Sequence, residues 1–537
     1  MGKTKKFLIG LLIALSALAG SIGLVACDGA ESSVETDSRI EAGATENLIY
    51  QKVKKKEEYC VAGLGSSTER DIVISSTYDG LPVTSIKDSA FSGCVGLESV
   101  VIPESVTSIG YRSFSGCVGL ESVVIPDSVT KIKSSAFDRC VSLTSVTIPS
   151  GVTTVGSTAF FSCSNLTSVT ILGNIKTITA NVFNGCGSLT SINIPETVTS
   201  IEENAFAYCD SLTELTLPSG VKNIGYRAFY YCANLTGVKL PETVTSIGTL
   251  AFSGCERLQF GKFGNEIYVG SATNDYFALI ETKNKNLSKY TVHNATKVIA
   301  SGAFASCANL TSITLPDSVT VIGANAFEYC GGLKSVTISE SVKSVGSYAF
   351  SGCSGLTSVT IGNGVTSVGS YAFSGCTSLA SFIIPDGVTS IGESAFSGCS
   401  GLTSLRIGNG VKSIGGYAFD KCSNLTYNVK DGLQYLGNEQ NPYLYLAGVV
   451  DTSITGATIE NTCKFVGESA FDECNELTNV YYGGTAGDWA KIKISSGNSK
   501  LASATRYDYI EKEENVPTDG GKYWRYVDGV PTVWEKE

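Results

Sequence analysis

The sequence predicts a solenoid, an array of short and nearly identical units built mostly of brief β-strands and turns around one continuous core. Three observations predict it. Cysteines recur at 94, 117, 140, 163, 186, 209, 232 and 255, and again at 307, 330, 353, 376, 399 and 422, always 23 residues apart, with one more unit ending at Cys474. Each of these cysteines follows a phenylalanine by three residues, from Phe91 to Phe471, which makes 15 units. Within a unit, apolar and polar residues alternate for a few positions and then stop at a proline. A fixed period of this length marks an architecture of stacked repeats.

One unit shows why each element forms. After Leu143, the residues Val146 and Ile148 alternate with Ser145 and Thr147, so one face is apolar and the other polar, as in a short half-buried strand. Pro149 has no N–H to give to a ladder and ends that strand. A second brief extended piece carries Val152 and Val155 and closes at Gly156. Ala159 and Phe160 then lead to Cys163 through a turn or a single turn of helix. No unit can bury its own Leu, Val, Ile, Phe and Cys, but stacked units can, at roughly 1.5–3 kcal/mol for each large apolar side chain removed from water.

The slots Leu, Val, Ile-Pro, Ile-Gly, Ala-Phe and Cys resemble those of the BspA-type leucine-rich repeat, over about residues 60–480. Leu81-Pro82-Val83-Thr84-Ser85-Ile86 looks like the usual entry into such arrays. Tyr481-Tyr482-Gly483-Gly484 and Tyr523-Trp524-Arg525-Tyr526-Val527-Asp528-Gly529 look like tails seen in that family. The resemblance implies a cell-surface or secreted protein concerned with adhesion and host contact; the repeat pattern by itself implies only a scaffold.

At the N-terminus, Lys3, Lys5 and Lys6 precede an apolar run from Phe7 to Leu18, too short to span a bilayer and suited to a signal peptide. Leu24-Val25-Ala26-Cys27 resembles a bacterial lipobox, which implies cleavage before Cys27 and lipidation of its thiol. Several acyl chains on one terminus anchor a protein stably to a membrane. The expected order is therefore a lipoprotein signal peptide over 1–26, a flexible tether over 27–56, a solenoid over 57–480 and a C-terminal cap or tail over 481–537. The tether rests on a polar, charged composition. For the tail, Trp489, Trp524 and Trp534 suggest a capping element or small hairpin.

The array is interrupted twice. Cys255 to Cys307 and Cys422 to Cys474 are each 52 apart, one unit plus 29 residues, which places inserts near 258–286 and 425–453. Both hold similar text, Tyr268-Val269-Gly270 before Asn274-Asp275-Tyr276-Phe277 and Tyr435-Leu436-Gly437 before Asn441-Pro442-Tyr443-Leu444. Paired short strands projecting as a hairpin would fit. The inserts read either as spacers or as binding loops, in which Tyr276, Phe277, Tyr443 and Tyr445 would be aromatic anchors.

Composition narrows the function. The chain of 537 residues has a formal charge of −11, and cleavage before Cys27 would remove three lysines and no acidic residue, taking it to −14. Such a charge argues against nucleic acid, which requires basic patches to displace counterions. The 18 cysteines include no C-x-x-C pair of the kind zinc needs. Disulfides suit an exported protein, but lipidation leaves an odd 17, and a buried thiol packs as a small apolar group, so the repeated cysteines are assigned to the core. Cys463 sits in a slot that normally holds Val, in keeping with this, and Cys60 lies outside the pattern. His293 is the only histidine and falls at a strand end, a turn position that offers no triad or two-histidine metal site. Paired carboxylates could still cleave a glycosidic bond, but no acidic pair recurs in a suggestive setting. Asp127, Asp317 and Asp386 follow strands, where turns favour Asp, and Gly362-Asn363-Gly364 and Gly408-Asn409-Gly410 are turns without the rest of a phosphate loop.

What remains is the outward side of the strand ladder. Serines fill one column, including Ser145, Ser168, Ser335 and Ser358, and threonines partly fill the next, including Thr147, Thr170, Thr337 and Thr360. These columns are either a ligand-contact face or simply serviceable residues for exposed strands. The reading is a lipid-anchored, non-catalytic surface protein without cofactor or metal, recognising an extracellular protein or glycan. A structural spacer of the envelope and, less favoured, an enzyme acting on extracellular polymers are the alternatives.

Overall fold

Each 23-residue unit closes one rung with three sides, two made of strands and one of turns. The computed structural model describes residues 39–534 apart from 265, 513–514 and 518–520. The signal segment, Cys27 and the first part of the expected tether lie outside the described residues. Arg39–Glu537 forms one compact unit, a parallel β-solenoid. Among the described residues no helix is long and apolar enough to cross a membrane.

The strand expected from alternating Ser and Val is Ser145–Ile148, with Val146 and Ile148 buried and Ser145 and Thr147 exposed. It pairs in parallel with Ser168–Ile171, like residue on like residue, because the partner lies one 23-residue unit further on. The second extended piece is Thr154–Val155, paired in the same way with Lys131–Ile132. On the third side the turn rather than the helical alternative holds: the stretch around Ala159 and Phe160 contains no helical turn. Thr158 (φ 60°) and Ser162 (φ 55°) are both in the left-handed region, which breaks any right-handed turn between them. This double turn forms a ladder too. The N–H groups of Thr158, Phe160 and Ser162 donate to the carbonyls of Ala180, Val182 and Asn184 of the next rung at 3.0, 3.0 and 2.7 Å.

Stacking on this side carries the core. Phe91, Phe114, Phe137, Phe160, Phe183, Phe206, Phe229 and Phe252 lie face over face, with adjacent centroids 5.2–5.8 Å apart. A second stack runs from Phe304 to Phe419. The cysteines are free thiols packed beside these rings. Where a phenylalanine rung lies directly behind, the Sγ donates to that phenylalanine's carbonyl, for instance Cys140 to Phe114 and Cys163 to Phe137 at 3.2 Å. Cysteine therefore serves as a small apolar residue that still satisfies a buried carbonyl.

The expected single core is in fact three, divided at the inserts. Neither insert is a projecting hairpin. In the first, Gly261–Phe263, Glu266–Val269 and Ala278–Thr282 form an antiparallel sheet, and its last strand rejoins the ladder by pairing in parallel with Val298–Ile299. In the second, Asn428–Lys430, Leu433–Leu436 and Tyr445–Val449 do the same against Phe465–Val466. The cause is the apolar middle strand: Tyr268 and Tyr435 are fully buried and seat each insert inside the solenoid.

The ends differ from the expected boundaries as well. The tether reading runs to Lys56, yet Ile49–Lys52 pairs with Tyr59–Gly63, Leu48 is buried, and Tyr50 stacks on Tyr78 at 4.5 Å. Beyond residue 480 the ladders continue. Asn479–Tyr482 pairs in parallel with Thr505–Tyr509, which pairs with Tyr523–Val527, and a hairpin to Val530–Val533 closes the sheet. The buried indole of Trp524 donates to the Tyr482 carbonyl at 2.9 Å.

Burial pushes the repeated thiols up, to about 12 for Cys117, Cys186 and Cys353 and well above the usual value for Cys163. A group whose folded value is raised stabilises fully below its ordinary pKa, here 9.0, and loses that contribution as pH climbs toward the folded value. At about 1.4 kcal/mol per pH unit for each thiol, many thiols acting together make the loss steep. We expect unfolding free energy, measured in urea at pH 7, 9 and 10.5, to stay flat to about pH 9 and then fall sharply. Thiol reagents at neutral pH should find most of these cysteines only after denaturation.

Candidate binding surface

The alternation that buries Val146 and Ile148 turns Ser145 and Thr147 outward, and the parallel register aligns them into columns. Ser145 lies beside Ser168 and Thr147 beside Thr170; Ser335 lies beside Ser358 and Thr337 beside Thr360. All are exposed except Ser168, which is half-buried. A third hydroxyl column, one residue before the serines, is exposed as well but is tied to backbone carbonyls of the preceding rung. Thr167 donates to the Thr144 carbonyl at 2.9 Å, Thr190 to Thr167 at 3.0 Å and Thr357 to Lys334 at 3.0 Å. The outer two columns are left to offer short donors and acceptors along the array. Val124 and Ile383, 64% and 61% exposed, break the polar run, and Arg406 is drawn aside to Asp386 at 3.5 Å.

The four insert aromatics are not equally accessible. Phe277 and Tyr445 are core residues, and Tyr445 sets its ring edge-on against Phe419 at 5.3 Å. Only Tyr276 and Tyr443 reach the surface, and both are held. Tyr276 stacks on the His293 imidazole at 3.8 Å, and Tyr443 lies edge-on to Tyr435 at 5.3 Å with the Lys430 ammonium over its ring at 5.3 Å. His293 is a turn residue whose Nδ1 accepts the Ala295 N–H at 3.2 Å.

Two features carried no weight in the sequence reading. Beside each insert the Ala-Phe-Cys turn is missing, and a cleft opens where the next ring of the stack would lie. The first, of about 780 Å³, is lined by Phe252, Phe260, Ile267, Ile280 and Glu281; the second, of about 330 Å³, by Phe419, Tyr427, Tyr445, Ala447 and Glu468. The 52-residue cysteine spacing was its signal. The other feature is a set of tyrosines on the turn side: Tyr208, Tyr231, Tyr329, Tyr348, Tyr371 and Tyr417 all adopt positive φ. Their signal was Tyr in slots where sibling units carry Gly or Ser.

Rungs of 23 residues, parallel strand ladders and a stacked Phe-Cys turn define a leucine-rich repeat solenoid. The chain belongs to the family described as BspA type Leucine rich repeat region, which it matches in 6 copies over residues 84–209, 176–279, 274–403, 346–440 and 449–487. No curated protein matches it. Among solved structures, it is similar to a leucine-rich repeat protein from Bacteroides ovatus, at 26% identity over 72% of this chain and 93% of the other, with a TM-score of 0.34. It is similar to a leucine rich repeat protein of T. pallidum at 32% identity, covering 40% of this chain and 88% of the other, with a TM-score of 0.32. A leucine rich cell surface protein from Faecalibacterium prausnitzii is 25% identical over 84% of this chain and 97% of its own, with a TM-score of 0.33.

The placement of the insert aromatics has a measurable result. Tyr445→Ser should cost about 3–5 kcal/mol of stability, the range for removing a buried aromatic. Tyr276→Ser should cost only about 1 kcal/mol, the worth of its stack on His293. Equilibrium denaturation of the two variants checks the difference; equal, small losses would contradict the burial of Tyr445.

Proposed function

We propose that the protein is an exported, lipid-anchored and non-catalytic surface protein that recognises an extracellular protein or glycan through the outward face of its first strand ladder. The observation that carries this reading is the pair of open hydroxyl columns, held in register over many rungs by parallel pairing. Such a face offers many weak and equivalent hydrogen-bonding positions and suits an extended partner. Membership of the BspA-type family supports a recognition role. The segment Lys3–Leu18 and Leu24-Val25-Ala26-Cys27 supports export and anchoring, and the polar composition from Asp28 to Ser38 supports a short tether ahead of the folded unit.

Both halves of the reading can be tested. Cys27→Ala should abolish incorporation of a fatty-acid analogue and release the protein from the membrane fraction; retained label and retention in the membrane would refute the anchor. For the face, the soluble repeat region is screened against matrix proteins and glycans. Replacing Ser335, Thr337, Ser358 and Thr360 together by Lys should weaken any ligand found by at least tenfold while circular dichroism stays unchanged. Binding that survives these changes would remove the hydroxyl face from consideration.

A further inference from the structure

The turn side presents a surface that the fold itself does not require. Two positions per rung are left-handed, the residue two before Phe and the residue just before Cys. Glycine is the ordinary occupant of such a backbone, and it fills the second position at Gly93, Gly116, Gly185, Gly254, Gly352, Gly375 and Gly398, all with φ of 70–80°. Tyrosine stands there instead at Tyr208, Tyr231 and Tyr329, and at the first position at Tyr348, Tyr371 and Tyr417, with φ of 53–59°. Other large residues share these slots, Arg112, Arg139, Arg227, Leu250 and Lys421 among them, so the left-handed backbone belongs to the rung and what is particular here is the choice of an aromatic ring. All but the half-buried Tyr371 are also among the exposed aromatics of the described residues, Tyr329 at 59% and Tyr417 at 49%.

They are organised. Tyr348 and Tyr371 stack at 4.7 Å with their planes 4° apart, and the Tyr371 hydroxyl donates to the Glu393 carboxylate at 3.4 Å. The Tyr329 ring lies across Gly352, where a Cβ would come within 2.5 Å of it, and Tyr231 lies across Gly254 in the same way. The following rung thus leaves room for the ring. Glu328 and Glu393 act electrostatically on the Tyr348 hydroxyl together with Tyr329 and Tyr371, so the carboxylates and rings share one patch. Elsewhere on the same side the chain already uses such rings for a cation: the Arg227 guanidinium sits over Tyr226 at 4.9 Å and Tyr230 at 4.6 Å. Among the described residues no lysine or arginine is placed over Tyr329, Tyr348 or Tyr371.

We propose that Tyr329, Tyr348 and Tyr371, with Glu328 and Glu393, form a docking site for an extended polypeptide segment bearing lysine or arginine side chains. Aromatic faces attract a cation held over them, and the two carboxylates and the chain's net charge of −11 complement a basic partner. The rungs carrying Tyr329 to Glu393 span about 14 Å at the usual strand spacing, the reach of roughly four extended residues. Tyrosine is among the residues that dominate protein interfaces. This surface and partner go beyond the hydroxyl face, and either assignment can fail without the other.

Because the backbone at these positions favours glycine, Tyr329→Gly and Tyr348→Gly should leave the melting temperature unchanged or raised. The probe is a fluorescent dodecapeptide of alternating serine and lysine or arginine, titrated by anisotropy onto the whole chain from Arg39, with a serine-glutamate peptide as control. The basic peptide should bind, the acidic one should not, each Tyr→Gly variant should bind at least tenfold more weakly, and Glu393→Gln should lessen the salt dependence. Lysine replacements on the hydroxyl face should have no such effect. The assignment is overturned if the basic peptide does not bind, if both peptides bind alike, or if the glycine variants bind as tightly as the parent.

Discussion

Everything in this molecule depends on one contact, a phenylalanine ring lying flat on the ring of the next rung. Hydrogen-bonded strands stack about 4.8 Å apart, and the rings stack at 5.0–5.8 Å, close enough for one packing to repeat from rung to rung without accumulating error. The rest of the rung follows. A small residue, alanine in all rungs but those of Ser113 and Val182, precedes the phenylalanine, and the cysteine three residues later is small enough to fit beside the ring and still donate to a carbonyl. The left-handed residues on either side turn the chain sharply enough to bring the ring back under its neighbour.

That contact also separates what the repeat dictates from what it leaves open. Leucine, valine, isoleucine, phenylalanine and cysteine are prescribed by the interior. The two outward strand positions and the two left-handed turn positions are not, and at these four slots the units differ: Thr147 against Lys239 and Ile383, Gly352 against Tyr329. Chemical individuality in such a chain is confined to slots the core does not control. The hydroxyl columns and the tyrosine patch occupy different sides of the same rungs and use different chemistry, hydrogen bonding on one and aromatic and acidic contact on the other.

The rung was legible because its features are local and repeated: the Ser-Val alternation, the closing proline and the Phe-x-x-Cys spacing each map to one side of it. What escaped did so for physical reasons. The first strand is embedded in a lysine- and glutamate-rich stretch, and Leu48 and the ring of Tyr50 are the few apolar groups that mark it, so composition pointed to a tether. Beyond Cys474 the ladders continue, but Asn479 pairs with Thr505, 26 residues on, because the short helices Ala486–Trp489 and Ser499–Ser503 lengthen the rung and hide the period. In Asn-Asp-Tyr-Phe, one aromatic is buried and its neighbour half-exposed, a difference decided by the strand beneath them. Backbone φ is not written in any single residue, so the tyrosines looked like ordinary turn residues.

The inserts have a further consequence for how the chain finds its native pairing. An array of near-copies can zip together one unit out of step, and each misplaced rung would still bury a phenylalanine, a leucine and a cysteine. Little energy would then distinguish the correct alignment from its shifted neighbours. The two inserts break that degeneracy. Leu240 bridges to Ser271 and Arg406 to Gly437, and Tyr268 and Tyr435 each fill a place that no ordinary unit could supply. They divide fifteen interchangeable parts into shorter runs with marked ends, so that an error of alignment in one run stops at the next boundary instead of spreading along the whole length.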